Sequence, residues 1–252
     1  MDFSRVLKVT FFLLVFSTTL YAQKLPPKFS FGIEFRSLQN LGLSAPENLF
    51  LLDSAGQVRA TVDYEFTSGI GFGGIIRVRL TDFWNIETGI SYARQTYTMD
   101  FIDLPTGRSD QSELDVVTYE LPAKGLVYIQ LGEKLFANVA LGVSLNFIAS
   151  NVEVFGLDGE YSFGALQERV FNGAVLGGLG VEYRTEEDGY FYLGGSFHQP
   201  FADLMVAQVN YFVDRDPPPL TDRGAIAGAY FGIDFRYFFP IQESREKTKT
   251  FK

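Results

Sequence analysis

Hydrophobic and polar residues alternate with a period of two along most of the chain between residues 29 and 239. The segment from Gly224 to Phe239 is the clearest example: one face carries Ala, Phe, Ile and Tyr, and the other carries Gly, Tyr230, Asp234 and Arg236. This period predicts a β-strand, because successive side chains of a strand point to opposite faces. An apolar face opposite a face with Asp and Arg favours a barrel with lipid outside and a polar lumen.

Eight alternating segments are predicted to be strands, at 29–37, 68–80, 84–99, 115–131, 135–150, 170–184, 189–212 and 224–239. Their connections alternate between short (81–83, 132–134, 185–188) and long (38–67, 100–114, 151–169, 213–223). Short turns at one end and long loops at the other are typical of outer-membrane barrels, whose short turns are periplasmic. We therefore predict an all-β fold, an eight-stranded antiparallel up-and-down transmembrane β-barrel with short periplasmic turns and long extracellular loops.

Two regions depart from this regular pattern. The seventh segment contains Pro200, which cannot donate a ladder hydrogen bond, so a bulge or an early exit from the membrane is expected there. Residues 202–212 would then continue above the bilayer as a hairpin arm with the start of the eighth strand. The 38–67 segment is expected to hold either a short helix or an extra hairpin.

The N-terminus has the pattern of a secretory signal peptide. Arg5 and Lys8 precede an apolar run that ends near Phe16, and cleavage is expected after Ala22 or Gln23. No later segment has about 18 uninterrupted apolar residues. We predict a signal peptide at 1–22, one barrel domain at 23–239 and a periplasmic tail at 240–252. That tail is basic, and either a disordered end or a handle for a periplasmic partner would fit it.

Composition narrows the function classes. The chain has 25 Gly, 26 Phe and 13 Tyr but one His and no Cys, so disulfides and a lipid-modified N-terminal cysteine are excluded. The formal net charge is -9, and it becomes -10 when the signal segment, with Asp2, Arg5 and Lys8, is removed. An acidic chain is a poor ligand for nucleic acid. No cofactor is expected.

The predicted inward face is rich in ionisable residues. An eight-stranded barrel has room inside only for side chains or one small ligand. Buried charges are tolerated when they are paired, so a near balance of carboxylates and cations predicts an ion-pair network that fills the lumen. A narrow or gated pore is the alternative. The predicted network consists of Glu34, Arg36, Arg77, Arg79, Glu87, Glu120, Lys124, Glu182, Arg184, Asp234 and Arg236.

Candidate catalytic and metal sites are weak. His198 has Ser196 and Asp203 near it in sequence, and these are residue types of hydrolytic chemistry, but spacing alone does not form a triad. Three acidic residues around 217–219 lack the ligand spacing of a cation-binding loop, so a solvated hairpin tip is expected there. We predict no catalytic site and no metal site. The three acidic residues are Asp214, Asp216 and Asp222.

Aromatic residues near the strand ends indicate which face meets lipid. They suit the membrane–water interfaces, where amphipathic rings are enriched. A soluble secreted barrel with an apolar ligand inside would instead need the apolar face turned inward. The predicted girdle residues are Trp84, Tyr92, Tyr183, Tyr237 and Phe239.

Four features resemble the PorT-like outer-membrane β-barrel domain family of small porin-like barrels. They are the signal sequence, the Phe29-Ser30-Phe31-Gly32 strand, the Tyr119-Glu120-Leu121-Pro122 element and the Gly-rich closing strand. The resemblance implies an outer-membrane barrel, with some members linked to protein secretion, and it transfers no catalytic residue. One departure is the tail, because 13 residues follow Phe239 whereas such barrels often end at the terminal aromatic residue.

The expected function is that of a non-enzymatic outer-membrane barrel with a filled, charged lumen. It would act in surface contact or as a component of an envelope or secretion assembly. A narrow channel or transport accessory is the alternative. The expected partners are outer-membrane lipid and envelope or secretion-system proteins, without nucleic acid.

Overall fold

The computed structural model describes residues 28–40, 47–81, 83–185, 187–213 and 218–240. The predicted signal peptide and nearly all of the predicted tail lie outside these ranges. The described ranges contain thirteen strands: β1 (Phe29–Gln39), β2 (Glu47–Leu52), β3 (Val58–Arg79), β4 (Trp84–Asp103), β5 (Arg108–Gln130), β6 (Leu135–Ile148), β7 (Val152–Gly156), β8 (Tyr161–Leu166), β9 (Phe171–Arg184), β10 (Tyr190–Pro200), β11 (Met205–Tyr211), β12 (Leu220–Ile226) and β13 (Tyr230–Phe238).

Eight of these strands close into an antiparallel ring. The order around the ring is β1, β13, β10, β9, β6, β5, β4 and β3, and the second half of β3 pairs back to the whole length of β1. The predicted all-β, up-and-down, eight-stranded barrel is confirmed. Within the described ranges, no helix is long and apolar enough to cross a membrane.

Three strands of the ring are much longer than predicted. β3, β4 and β5 have 22, 20 and 23 residues, whereas a tilted membrane strand needs about 9–11. Most of the predicted loop 100–114 and the end of the predicted loop 38–67 are therefore strand. In the outer-membrane orientation, these extra halves rise above the outer leaflet.

A second sheet stands above the barrel, in the order β12, β11, β8 and β7. The expected break at Pro200 is present, and the expected arm is formed by β11 and β12, which pair from Met205 and Ile226. The prediction of one continuous strand at 224–239 is wrong. Gly228 has a φ of 71°, a left-handed conformation that glycine adopts without a Cβ penalty, and it separates β12 from β13. In the segment 38–67, β2 pairs with β3 as an extra hairpin.

The two faces of β3 exchange their polarity at one residue. Thr67 is an unpaired bulge between Phe66, opposite Tyr97, and Ser68, opposite Thr96. Before the bulge, the buried side chains are Ala60, Val62, Tyr64 and Phe66 and the outward ones are polar; after it, the outward ones are Ile70, Phe72 and Ile76. Because the side-chain period of a strand is two, one extra residue exchanges the alternate positions that point inward and outward. The chemistry of each face of β3 therefore changes at the bulge. Thr67 therefore marks the upper edge of the lipid-facing zone on this strand.

Two aromatic belts frame the lipid-facing zone. In the upper belt, Phe72, Tyr92, Tyr119, Phe147 and Phe171 are direct cross-strand partners around five strands. Their neighbouring ring centroids are 4.9 to 6.4 Å apart. At the periplasmic end, the predicted girdle residues Trp84, Tyr183, Tyr237 and Phe239 lie on the outer face, together with Phe191. Tyr92 of the predicted girdle belongs to the upper belt.

The part above the upper belt is a second packed unit, which we call the extracellular domain (residues 47–67, 94–117, 149–169, 201–213 and 218–229). Its interior is apolar, unlike the lumen below it, and it contains most of the larger buried hydrophobic cluster found among the described residues. β2–β5 form one wall and β7, β8, β11 and β12 form the other. Members of this core include Leu51, Val62, Tyr64, Met99, Phe101, Leu114, Tyr161, Phe163, Val209 and Ile226.

Two carboxylates join the two walls at the edges of β2 and β12, where the hydrogen bonding between neighbouring strands stops. The Phe50 N–H donates to Asp222 Oδ2 at 2.8 Å, and the Ala225 N–H donates to Glu47 Oε2 at 3.0 Å. The Tyr64 hydroxyl also donates to Glu47, at 2.8 Å, and burial together with this hydrogen bond raises the pKa of Tyr64. These bonds satisfy edge N–H groups of β2 and β12 that no neighbouring strand pairs.

Candidate functional site: the barrel interior

The structure brings ten of the eleven predicted lumen residues into ion pairs inside the ring. The period of two places them inward, and ring closure brings strands that are distant in sequence face to face. Eight of the ten are buried, and the side chains of Lys124 and Arg184 are 11% and 13% exposed. The ten residues are Glu34, Arg36, Arg77, Glu87, Glu120, Lys124, Glu182, Arg184, Asp234 and Arg236.

The lowest layer is built around Glu182. Arg77 Nη1 and Arg184 Nε each lie 2.6 Å from a different oxygen of its carboxylate, and the Tyr128 hydroxyl donates to it at 3.1 Å. The two arginines also lie over aromatic rings, with Arg184 3.9 Å from the centroid of Phe136. Cation–π contacts of this kind stabilise a desolvated guanidinium. The periplasmic end of the lumen is therefore occupied by alternating guanidinium and aromatic groups.

Glu87 is the centre of the next layer. Its carboxylate accepts from Lys124 Nζ at 2.8 Å and from Arg77 and Arg236, each at 3.1 Å. The side chain is fully buried. Three cations around one carboxylate satisfy its oxygen atoms, as a buried charge requires.

Arg236 joins this layer to the middle of the barrel. Besides Glu87, it pairs with Asp234 at 2.8 Å and with Glu34 at 3.3 Å. The Ser91 hydroxyl donates to Glu34 at 2.6 Å. One guanidinium therefore neutralises carboxylates on its own strand β13 and on β1 and β4, which makes it the most connected cation of the interior.

The upper layer combines a charge pair with two stacked rings. Arg36 Nη2 lies 2.8 Å from Glu120, and the Tyr230 hydroxyl donates to the same carboxylate at 2.7 Å. The Tyr230 ring stacks on His198 with centroids 4.6 Å apart and 4° between the planes. His198 Nε2 lies 2.9 Å from Asn146 Nδ2 and 3.8 Å from Glu120. This layer separates the charged lumen from the apolar core of the extracellular domain.

Arg79 does not join the network. Its side chain is at the periplasmic end of β3, and the described residues give its guanidinium no ion-pair partner. The lowest carboxylate, Glu182, is already occupied by Arg77 and Arg184. The strand period therefore predicts where Arg79 lies, but it does not predict whether Arg79 forms an ion pair.

Among the described residues, one small cavity lies between the Glu34 and Glu120 layers, bounded by charged groups on one side and by Leu176 and Gly178 on the other. Its water-accessible volume is about 30 Å³. About 10–15 Å³ of such volume holds one water molecule, so the cavity has room for about two.

His198, Ser196 and Asp203 do not form a triad. The Ser196 hydroxyl donates to Asp234 at 2.8 Å, and the hydrogen-bond partners of His198 are on other strands. Of the acidic residues considered for a cation, Asp222 caps the Phe50 N–H, and Asp214 and Asp216 lie outside the described residues. No group of three or more potential metal ligands occurs in the ranges that the structure describes.

Several interior residues were missed as site residues. Ser91, Tyr128, Asn146 and Tyr192 lie inward and contact the charged groups. Their position on the inward face of the strands was the available signal. Neutral donors and aromatic rings on the same inward face therefore complete the network that the ionisable residues form.

A protein-family model described as an outer membrane protein beta-barrel domain matches residues 21–206. This chain belongs to that family. A search of curated proteins returns no match. Among solved structures, the outer membrane protein OprG from Pseudomonas aeruginosa is similar with a TM-score of 0.51 and 15% identity, over 84% of this chain and 96% of OprG. At this identity the likeness shows the barrel fold alone.

Two further solved structures are more distant. The outer membrane protease OmpT from Escherichia coli has a TM-score of 0.35 and 9% identity, over 83% of this chain and 92% of OmpT. The beta domain of the Bordetella autotransporter BrkA has a TM-score of 0.34 and 13% identity, over 85% of this chain and all 100% of that domain.

Proposed function

We propose that this protein is a non-enzymatic outer-membrane barrel whose sealed lumen anchors the extracellular domain at the cell surface. Its role would be contact with other molecules outside the membrane, alone or as part of an envelope assembly. The proposal rests on one observation. Along the barrel axis, the interior changes from paired charges in the membrane part to an apolar core in the extracellular domain.

The interior supports an anchor better than a pore. The ion pairs cross the lumen at several heights, and the cavity that the described residues line between them has room for about two water molecules. Buried carboxylates surrounded by guanidinium groups lose much stabilisation if they separate, so opening a continuous water path would be costly. The apolar core above would have to open as well.

The extracellular domain supports a surface role. An anchor needs only about ten residues in each strand, whereas β3, β4 and β5 each have at least 20. The extra length is organised into a packed unit with its own core, which gives a rigid base for contacts.

A narrow channel is the second candidate, and the small interior cavity is the observation that favours it. Two waters in the middle of the plug would be the beginning of a path if the upper layer moved. Ion conductance separates the two candidates.

Closer relation to the PorT-like barrels, and with it a link to protein secretion, remains part of this proposal. The motivating features are the Phe29-Ser30-Phe31-Gly32 and Tyr119-Glu120-Leu121-Pro122 elements. Crosslinking in intact envelopes, followed by purification of this chain, would identify such an assembly.

Site-directed cysteine labelling tests the anchor directly, because the chain has no cysteine of its own. We expect a membrane-impermeant maleimide to label Glu65→Cys on intact cells, Glu133→Cys only after the outer membrane is permeabilised, and Phe72→Cys poorly in both cases. Labelling of Glu133→Cys but not Glu65→Cys on intact cells would overturn the proposed orientation.

A further inference from the structure

The outward side of β2, β3, β4 and β5 in the extracellular domain forms an exposed sheet face, which we call the outer sheet face. Its inner side packs on the apolar core through Val62, Met99 and Phe101. Nothing in the described part of the chain covers its outer side. The face lies above the upper aromatic belt, so it is in the aqueous zone and not in lipid.

The outer sheet face is apolar at its outermost end. Phe50 on β2 and Ile102 on β4 flank Thr61 in one cross-strand row, and they are 49% and 39% exposed. Strands of one sheet are about 4.8 Å apart, so these two side chains are separated by roughly 10 Å, with the small Thr61 between them. The row is therefore a shallow apolar depression.

The next two rows toward the membrane are acidic. Asp63 on β3 lies directly opposite Asp100 on β4, and one row further Glu65 and Glu113 flank Thr98. Like charges directly opposite on a sheet destabilise it. Among the described residues no cation pairs with these four carboxylates, and Asp100 accepts only from the neutral Gln111, at 2.8 Å. Folding alone does not account for this arrangement.

The surrounding charges do not compensate for it. Within its described residues, the extracellular domain has fifteen carboxylates and five arginines, a net charge of -10. Three of the five arginines are held by other carboxylates, in the pairs Arg59–Asp103, Arg94–Asp115 and Arg108–Glu160. The outer sheet face therefore carries a negative potential next to an apolar row.

This combination selects one class of occupant. A second copy of the chain would bring the same negative face, and lipid phosphates or nucleic acids are also anionic, so all three are repelled. The described residues contain no cluster suited to a metal ion. A cationic polypeptide satisfies both parts of the face, because its Lys or Arg can lie over the acidic rows while an apolar side chain contacts Phe50 and Ile102.

We propose that the outer sheet face docks a cationic polypeptide segment of this kind. The inference rests on the proposed surface role and names its partner class. Asp63, Asp100, Glu65 and Glu113 would supply charge complementarity and orientation, and the Phe50–Ile102 row would fix the position of the segment along the strands.

The test is binding of a defined probe to the whole barrel in nanodiscs of zwitterionic lipid. The probe is a fluorescein-labelled peptide, Lys-Thr-Lys-Thr-Lys-Thr-Leu, measured by anisotropy at low ionic strength. The triple variant Asp63→Asn, Asp100→Asn, Glu113→Gln should weaken binding about tenfold, since it removes several exposed ion pairs. The matched control, Glu153→Gln, Asp158→Asn, Glu168→Gln, makes the same charge change at exposed positions elsewhere in the domain and should weaken it less than about twofold.

A second pair of variants tests the apolar row. Phe50→Ser should weaken binding about threefold or more, whereas Phe155→Ser, at another exposed phenylalanine of the domain, should leave it unchanged. Equal losses in the two triple variants would mean attraction by net charge alone and would overturn the inference, as would the absence of saturable binding. If only this inference fails, Glu65→Cys is still labelled on intact cells and the barrel still gives no conductance steps, so its failure is distinguishable from failure of the anchor role.

Discussion

Arg77 and Glu182 meet across the full width of the barrel, with Arg77 Nη1 2.6 Å from Glu182 Oε2. Arg77 is on β3 and Glu182 is on β9, and these strands are four positions apart in either direction around the eight-stranded ring. This ion pair therefore spans the lumen at that height. Further ion pairs span the lumen between other strands, and the apolar core lies above them.

The most connected cation should be the most important one for stability. Replacing Arg236 with Ala leaves Glu34, Glu87 and Asp234 without one of their partners, and we expect a loss of about 3–5 kcal/mol, as for other broken buried pairs. Arg79→Ala is the matched control, with an expected effect below about 1 kcal/mol. Heat-shifted migration on gels measures both, and equal unfolding temperatures for the two variants would contradict the network.

The Tyr230 hydroxyl should contribute separately from its ring. It accepts from Arg36 Nη1 at 2.7 Å and donates to Glu120 at 2.7 Å. Tyr230→Phe keeps the stacking on His198 but leaves both groups short of a partner, so we expect a loss of about 1–3 kcal/mol. Tyr183→Phe, on the lipid face, is the control and should be nearly neutral. Denaturant unfolding in detergent measures the free energy of unfolding of both variants. A Tyr230→Phe barrel as stable as the parent would show that the Tyr230 hydroxyl does not contribute to stability.

Glycine is required on the inner wall where Tyr192 lies. A Cβ at Gly194 would overlap the Tyr192 hydroxyl and the Leu179 carbonyl oxygen, so Gly194→Ala should destabilise the barrel by about 1–3 kcal/mol. Gly74→Ala is the control, since a Cβ there meets no atom within 4 Å. The midpoint of thermal unfolding checks both variants. A stabilised Gly194→Ala barrel would show that the ring of Tyr192 is placed differently.

The bulge at Thr67 should be needed for the extracellular domain but not for the membrane part. Deleting Thr67 shifts the upper half of β3 by one residue and turns Val62 and Tyr64 outward, because the side-chain period is two. We expect rapid proteolysis of the extracellular domain in this variant while heat-shifted migration persists. Thr67→Ala keeps the residue count and should resist protease like the parent. Equal resistance of the deletion variant would mean that the register of β3 can adjust.

The sequence predicted the ring well because each membrane strand carries its own period. The inward position of Arg36 and Glu120 followed from that period, but their pairing depends on ring closure between strands 84 residues apart, which no local pattern encodes. The alternation predicts a loop for the upper half of β3, because the polarity there is inverted relative to the membrane half and Thr67 interrupts the period. The break at Gly228 was missed because the alternation continues across it, whereas the break at Pro200 was expected from the missing N–H donor.

Single-channel recording tests the sealed lumen most directly. Purified protein, reconstituted into a planar bilayer, should give no reproducible conductance steps at neutral pH, because paired charges and the apolar core close the axis. Arg77→Ala, which removes the contact with Glu182, is the informative companion and is expected to be leakier than the parent if it folds. Reproducible ion steps from the unmodified barrel would contradict the account.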